Sequence, residues 1–145
     1  MPSPTAKIDA RVAPASGTGE VVAVLGAAAG RFSIRDVATS SFGRYQMKTL
    51  WISTDPADHV ILVRVMSVGD AREDPGFVGG DIPEAGGMPT QLRLGPEGSV
   101  QFGDGPMPES WRVWSSGTLV AEVACYAFQI DTERSTDHIV FEVID

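Results

Sequence analysis

Apolar residues recur at every second position through the last part of the chain. In 125–131, Tyr126, Phe128 and Ile130 fall on one side, and Cys125, Ala127 and Gln129 on the other. In 138–144, Ile139, Phe141 and Val143 share a side against Val140, Glu142 and Ile144. A period of two is that of a strand with one face in a core. The polar segment 132–137 between them is short, which predicts an antiparallel hairpin. A turn centred near 133–134 sets Gln129 opposite His138 and Cys125 opposite Glu142. Upstream, 59–65 is apolar at nearly every position, the pattern of a central strand covered on both sides.

Elsewhere, 16 glycines and 10 prolines cut the chain into short runs rich in Val, Ile, Leu, Phe and Trp. That punctuation predicts strands near 20–25, 31–38, 47–53, 59–66, 90–95, 99–103, 110–114, 118–123, 124–131 and 137–144. No window carries an apolar stripe of helical period, and the best helical stretch, 22–29, is interrupted by Gly26. The expected architecture is a single all-β domain, an antiparallel β-sandwich of seven to ten strands over 19–145. Residues 1–18 are expected as a flexible tail, and 69–89 as a long loop. Lys7 and Arg11 ahead of the apolar run Val21–Ala29 imitate the order of a signal peptide. Asp9 and Glu20 break that order, so a tail leading into a first strand is expected.

Charge and length narrow the classes. A chain of 145 residues buries roughly 68–70% of its unfolded surface, enough for a real core. With 11 basic and 19 acidic side chains the net charge is −8, which repels phosphate backbones and anionic headgroups. Nucleic acid is therefore not an expected partner. The nine-residue run Val21–Ala29 falls far short of the ~20 residues of a membrane-spanning helix, so no transmembrane segment is expected. One cysteine, Cys125, leaves no internal disulfide and no thiolate metal cage.

Several motifs carry a resemblance. Trp111-Arg-Val-Trp-Ser-Ser-Gly-Thr118, then Cys125-Tyr-Ala-Phe-Gln-Ile-Asp131, then Ile139-Val-Phe141 resemble the C-terminal part of a group of bacterial secreted or lipid-anchored proteins with an immunoglobulin-like sandwich. In that group the pattern reads W-R-x-W-P-S-x-T, G-C-Y-A-F-Q-V-D and I-V-F. Lys48–Trp51 and Val60–Arg64 are similar to two earlier strands of the group. The likeness covers about two-thirds of the chain; Ser115 stands where the group has proline and Ala124 where it has glycine. The resemblance implies an immunoglobulin-like fold and an extracytoplasmic compartment, and it brings no catalytic residues with it.

Candidate chemistry is sparse. A nucleophile needs a base within hydrogen-bond reach. The hairpin register separates Cys125 from His138 by four residues, more than ~13 Å along the strands, so the two do not form a pair. A lone strand cysteine is most often an inert, half-buried small hydrophobe. The segment 69–87 gathers Asp70, Glu73, Asp74, Asp81 and Glu84, and clustered carboxylates can bind calcium. The D-x-[DN]-x-[DN]-G spacing is missing, and Arg72 offers these acids a partner. No cofactor is expected, with calcium as the alternative. Two carboxylates at a set separation would serve a glycoside hydrolase, yet none of the acids is paired by its surroundings.

Trp111 and Trp114 are oddly spaced and fall on opposite faces of a strand, so at most one is core. The other supports an aromatic contact surface beside the Gly/Pro-rich segment 103–109. The expected function is a non-catalytic binding or accessory module presenting loops from a rigid scaffold. Its candidate contacts, to a protein, carbohydrate or small molecule, are Asp70, Glu73, Asp74, Phe77, Asp81, Trp111 and Trp114. The competing readings are a carbohydrate or small-molecule binder with a cleft between the sheets and, behind it, a hydrolase using loop carboxylates.

Overall fold

The computed structural model describes residues 2–3, 5–6, 15–25, 30–39, 42–54, 60–69, 71–79, 88–95 and 110–145. Twelve strands lie among them: β1 (Thr5–Ala6), β2 (Ala15–Ser16), β3 (Val21–Val24), β4 (Arg31–Ser33), β5 (Ala38–Thr39), β6 (Tyr45–Ser53), β7 (Ile61–Ser67), β8 (Gly76–Val78), β9 (Gln91–Leu94), β10 (Arg112–Val120), β11 (Ala124–Asp131) and β12 (Thr136–Ile144). The first sheet runs β1-β2-β3-β6-β10-β8, with β5 also on β6. The second runs β4-β12-β11-β7-β9. The pairs are antiparallel except β12 with β4, which is parallel.

The order β3-β6-β10-β8 facing β12-β11-β7 is that of the A-B-E-D and G-F-C sheets of an immunoglobulin fold. One departure is β9, which lies beside β7 although it follows β8 in the chain. Near the start of β11, the Tyr126 hydroxyl donates to the Glu122 carbonyl at 2.9 Å, a tyrosine corner that ties the β10–β11 turn to the strand. Burial raises the pKa of this phenol, so it stays a donor. Tyr126→Phe is expected to cost about 1 kcal/mol, read from the denaturant midpoint. Two residues on, where an antibody domain carries its second inter-sheet cysteine, stands Phe128. Its ring meets the edge of Trp51 from β6 at 4.8 Å, so two aromatic rings occupy the place of the disulfide.

The core lies between the sheets and contains Tyr126, Phe128, Ile130, Ile139, Phe141 and Val143, all on the face that the alternation assigns inward. The hairpin register is also as expected, with Gln129 opposite His138 and Cys125 opposite Glu142. Strand β7 lies inside its sheet but is covered on one face only: Ile61, Val63 and Val65 are buried, while Arg64 is exposed.

Other expectations are corrected. The strand count exceeds seven to ten because five strands have only two or three residues, too short to leave a period. Within 1–18, expected as a tail, β1 and β2 join the first sheet. The Ser3 amide donates to the Val140 carbonyl, and the Val140 amide to Ser3 Oγ, both at 2.8 Å. Within 69–89, expected as loop, β8 pairs with β10, and the Phe77 amide donates to the Pro89 carbonyl at 2.8 Å. The expected strand 31–38 is split by a 3-10 turn at Ile34–Asp36, where Ser33 Oγ accepts from the Arg35 amide and the chain changes sheet. The expected pair 110–114 and 118–123 is one strand, β10. The expected strand 99–103 and the segment 103–109 lie outside the described residues.

Candidate interaction surface

Of the seven residues singled out from sequence, the five that are described do not form one site. Phe77 is fully buried in β8 and stacks on Phe128 at 6.2 Å, so it is core and cannot serve as a contact. Trp114 is likewise core, between the sheets. Trp111, on the other face as expected, is half-buried against a second apolar cluster that contains Val22, Ile52 and Val113. Glu73 and Asp74 are exposed in the bend between β7 and β8. Trp111 precedes β10 whereas this bend sits near its far end, ~27 Å away for nine residues of strand. Asp70 and Asp81 lie outside the described residues, as does His59.

In that bend one carboxylate already has a partner. Glu73 pairs with Arg44 at 3.1 Å. One Glu122 carboxylate oxygen accepts the backbone amides of Arg72 and Glu73, the latter at 3.1 Å. Glu122 thus strings the bend to the tyrosine corner, a role that the sequence signals only through its spacing of four from Tyr126. Among the described residues, no group of three or more His, Cys, Asp or Glu side chains is placed to hold a metal. The register keeps Cys125 and His138 four residues apart along the hairpin, on the outward face. Cys125 is half-buried there.

That outward face of the second sheet is the main exposed feature. Sheets with one face in the core usually turn polar side chains to water on the other. The upper part follows the rule. Gln91, Arg64, Gln129 and His138 form one row, and Arg93, Leu62, Asp131 and Thr136 the next. The lower part does not. Met66, Ala127 and Val140 form a row across β7, β11 and β12. Below it lies Cys125, flanked by Val68, whose amide donates to the Cys125 carbonyl at 3.0 Å. Val123, just before β11, and Ile144, ending β12, continue the apolar area to the rim. Val68, Val123 and Ile144 are 55%, 49% and 37% exposed, three of the four exposed large hydrophobics among the described residues. Met66 and Val140 are half-buried and Ala127 is buried, so the apolar side chains open to solvent here are Val68, Val123 and Ile144. The Arg31–Glu142 pair at 2.8 Å closes one side of it.

Asp131 anchors the polar part. It accepts from Arg64 at 2.8 Å, from Thr136 Oγ1 at 2.7 Å and from Gln129 Nε2 at 3.1 Å. The Arg64 hydrogen bond, then that of Thr136, lowers its pKa. A folded pKa below the unfolded value of about 3.9 gives stability that is complete above that value and lost as pH falls through the lowered one. Thermal midpoints of the wild type and Asp131→Asn are therefore expected to converge toward the acid end and separate as pH rises through 4. Parallel curves would mean that the carboxylate is not tied in this way.

No family model matches the chain, and no curated protein matches it. In structure it is similar to a crystal structure described as "a Putative Lipoprotein from Bacillus anthracis", with a TM-score of 0.56 and 10% identity over 99% of this chain and 86% of that one. At that identity the likeness speaks to the fold, an all-β sandwich. Among the described residues, no helix is long and apolar enough to cross a membrane.

Proposed function

We propose that this domain is a non-catalytic binding module of the extracytoplasmic space, making its contact through the outward face of the second sheet. The observation that carries the reading is the apolar lower half of that face, with Val68, Val123 and Ile144 open to solvent. Solvent would select polar residues at these positions; a protein partner selects apolar ones inside a polar rim. The rim is present in Arg64, Gln129, His138 and Asp131. The compartment rests on the motif resemblance to secreted and lipid-anchored bacterial proteins, and on the description of the structural neighbour as a lipoprotein. Wild-type and Val68→Glu proteins, immobilised side by side, test the reading against the extracytoplasmic fraction of the source cells. Proteins held by the wild type and released by the variant are the expected outcome. Equal retention by both overturns the assignment of the face.

A further inference from the structure

We infer that the edge of β12 at Val140 is a strand-addition site for an extended segment with a serine between prolines, and that the chain's own residues 2–6 occupy it as a strap. The site lies on the edge of the second sheet, apart from its outward face, so it stands or falls separately from the binding reading above.

The edge needs cover. The Val140 carbonyl accepts from the Ser3 amide and the Val140 amide donates to Ser3 Oγ, at 2.8 Å each. Both backbone groups of Val140 therefore point away from β11, to the side where β4 is the neighbouring strand. Strand β4 covers that side only at Glu142, Val143 and Ile144. Directly before β4 stands Gly30, whose φ of 67° lies in the left-handed region and turns the chain off the edge. A bare strand edge is a template for another strand. Ser3 takes over at Val140, two residues above the last contact of β4.

The slot is shaped for backbone. Gly30 and Ser16, both buried, form its floor. A Cβ on Gly30 would lie 3.3 Å from Pro2 Cβ and 3.6 Å from Ser16 Oγ, so a side chain at position 30 would crowd the strap.

The chemistry of the occupant follows from the same contacts. Serine supplies the two groups that Val140 uses, an amide donor and a hydroxyl acceptor. Pro2 has no amide to leave unpaired, and Pro4 biases Ser3 toward extended backbone, so docking costs little order. Such pairing is β-addition, in which the main chain gives affinity and a side chain gives specificity. The hold is short. Beyond Ser3, the described part of the strap pairs only Thr5 with Ser16 and Ala6 with Ala15. Local opening thus bares the site while the sandwich stays folded. A second segment competes with a tethered strap, whose effective concentration is on the order of mM.

Nuclear magnetic resonance of the whole isotope-labelled chain tests both halves. Ser3→Pro removes the amide donor and the hydroxyl together, and the Val140 amide then exchanges its hydrogen about tenfold faster or more. Ser3→Ala moves it the same way, and Ser3→Thr keeps the protection. The Phe141 amide, which points to β11, is unchanged. Ser3 is half-buried, so these variants fold, with circular dichroism as the check. The probe for addition is the peptide Met-Pro-Ser-Pro-Thr-Ala, titrated to about 10 mM. It shifts the Val140 resonance saturably in Ser3→Pro, binds the wild type about tenfold more weakly, and fails to bind when its serine is replaced by alanine. Equal exchange at Val140 in the wild type and folded Ser3→Pro overturns the strap. A Val140 edge that opens and takes no peptide overturns the addition site, as does a peptide that binds both proteins alike.

Discussion

Phe128→Ala is expected to remove about 3–5 kcal/mol of stability, the largest effect of any single change considered. The ring is fully buried and touches both sheets. It meets the edge of Trp51 at 4.8 Å, stacks on Phe141 at 4.7 Å and lies over Phe77 at 6.2 Å. Truncation loses the transfer energy of the ring and leaves a cavity among three aromatic side chains held by separate strands. A domain of this size has about 5–15 kcal/mol in total, so roughly a fifth or more disappears. The thermal midpoint should fall by roughly 10 °C or more. Phe128→Leu keeps most of the volume and should cost clearly less. A loss below about 1 kcal/mol for the alanine variant would contradict the packing described.

The second large effect comes from polar groups. Thr49 and Thr118 are fully buried on the inner face of the first sheet, with their hydroxyls 2.7 Å apart. Beside them Trp51 Nε1 donates to Ser116 Oγ at 3.0 Å. Thr49→Val keeps the shape but leaves the Thr118 hydroxyl without that partner, at a cost of about 1–3 kcal/mol. Thr118→Val should cost less, since Thr49 retains the Met47 carbonyl at 3.4 Å. Combining the two removes both hydroxyls together. The double variant is therefore expected to be no less stable than Thr49→Val, giving a coupling on the order of 1 kcal/mol in a double-mutant cycle. Strictly additive costs would show that the hydroxyls act separately.

The same small residues explain what sequence could and could not carry. Ser115-Ser-Gly-Thr118 has the composition of a turn and divides β10 in two on paper. In the fold, Ser116 and Thr118 face the core as hydroxyl partners. A Cβ on Gly117 would come within 2.6 Å of the Val78 side chain, so a residue that imitates a turn is there for close strand packing. Strand β8 was hidden for a related reason: three residues with a single inward ring, Phe77, give no period among prolines and glycines. The C-terminal hairpin was legible to the residue because its burial alternates without interruption over two long strands. The contact surface was harder to see. Met66, Val68, Ala127 and Val140 are far apart in sequence, and their outward apolar row exists only once β7, β11 and β12 are set side by side. Phe77 stands with Val78 as an isolated apolar pair among prolines and glycines, which is also how a core residue on a short strand looks.

From β3 to β11 the chain changes sheet at every step but one, β5 to β6. Hydrogen-bonded neighbours that follow each other in the chain are confined to β1–β2, β2–β3, β5–β6 and β11–β12. Nearly every other ladder joins segments tens of residues apart, such as β6 with β10. Loop-closure entropy must then be met before those contacts reward it, which places folding in the slow millisecond-to-second class of high-contact-order β proteins. The β11–β12 hairpin is the longest local piece, and a two-stranded hairpin alone is marginal in water. Refolding should therefore wait on the arrival of β6 and β10. Until then, the rings of Tyr126, Phe128 and Phe141 are bare to solvent on a half-made sheet, and the interval before closure is when this chain is most open to aggregation.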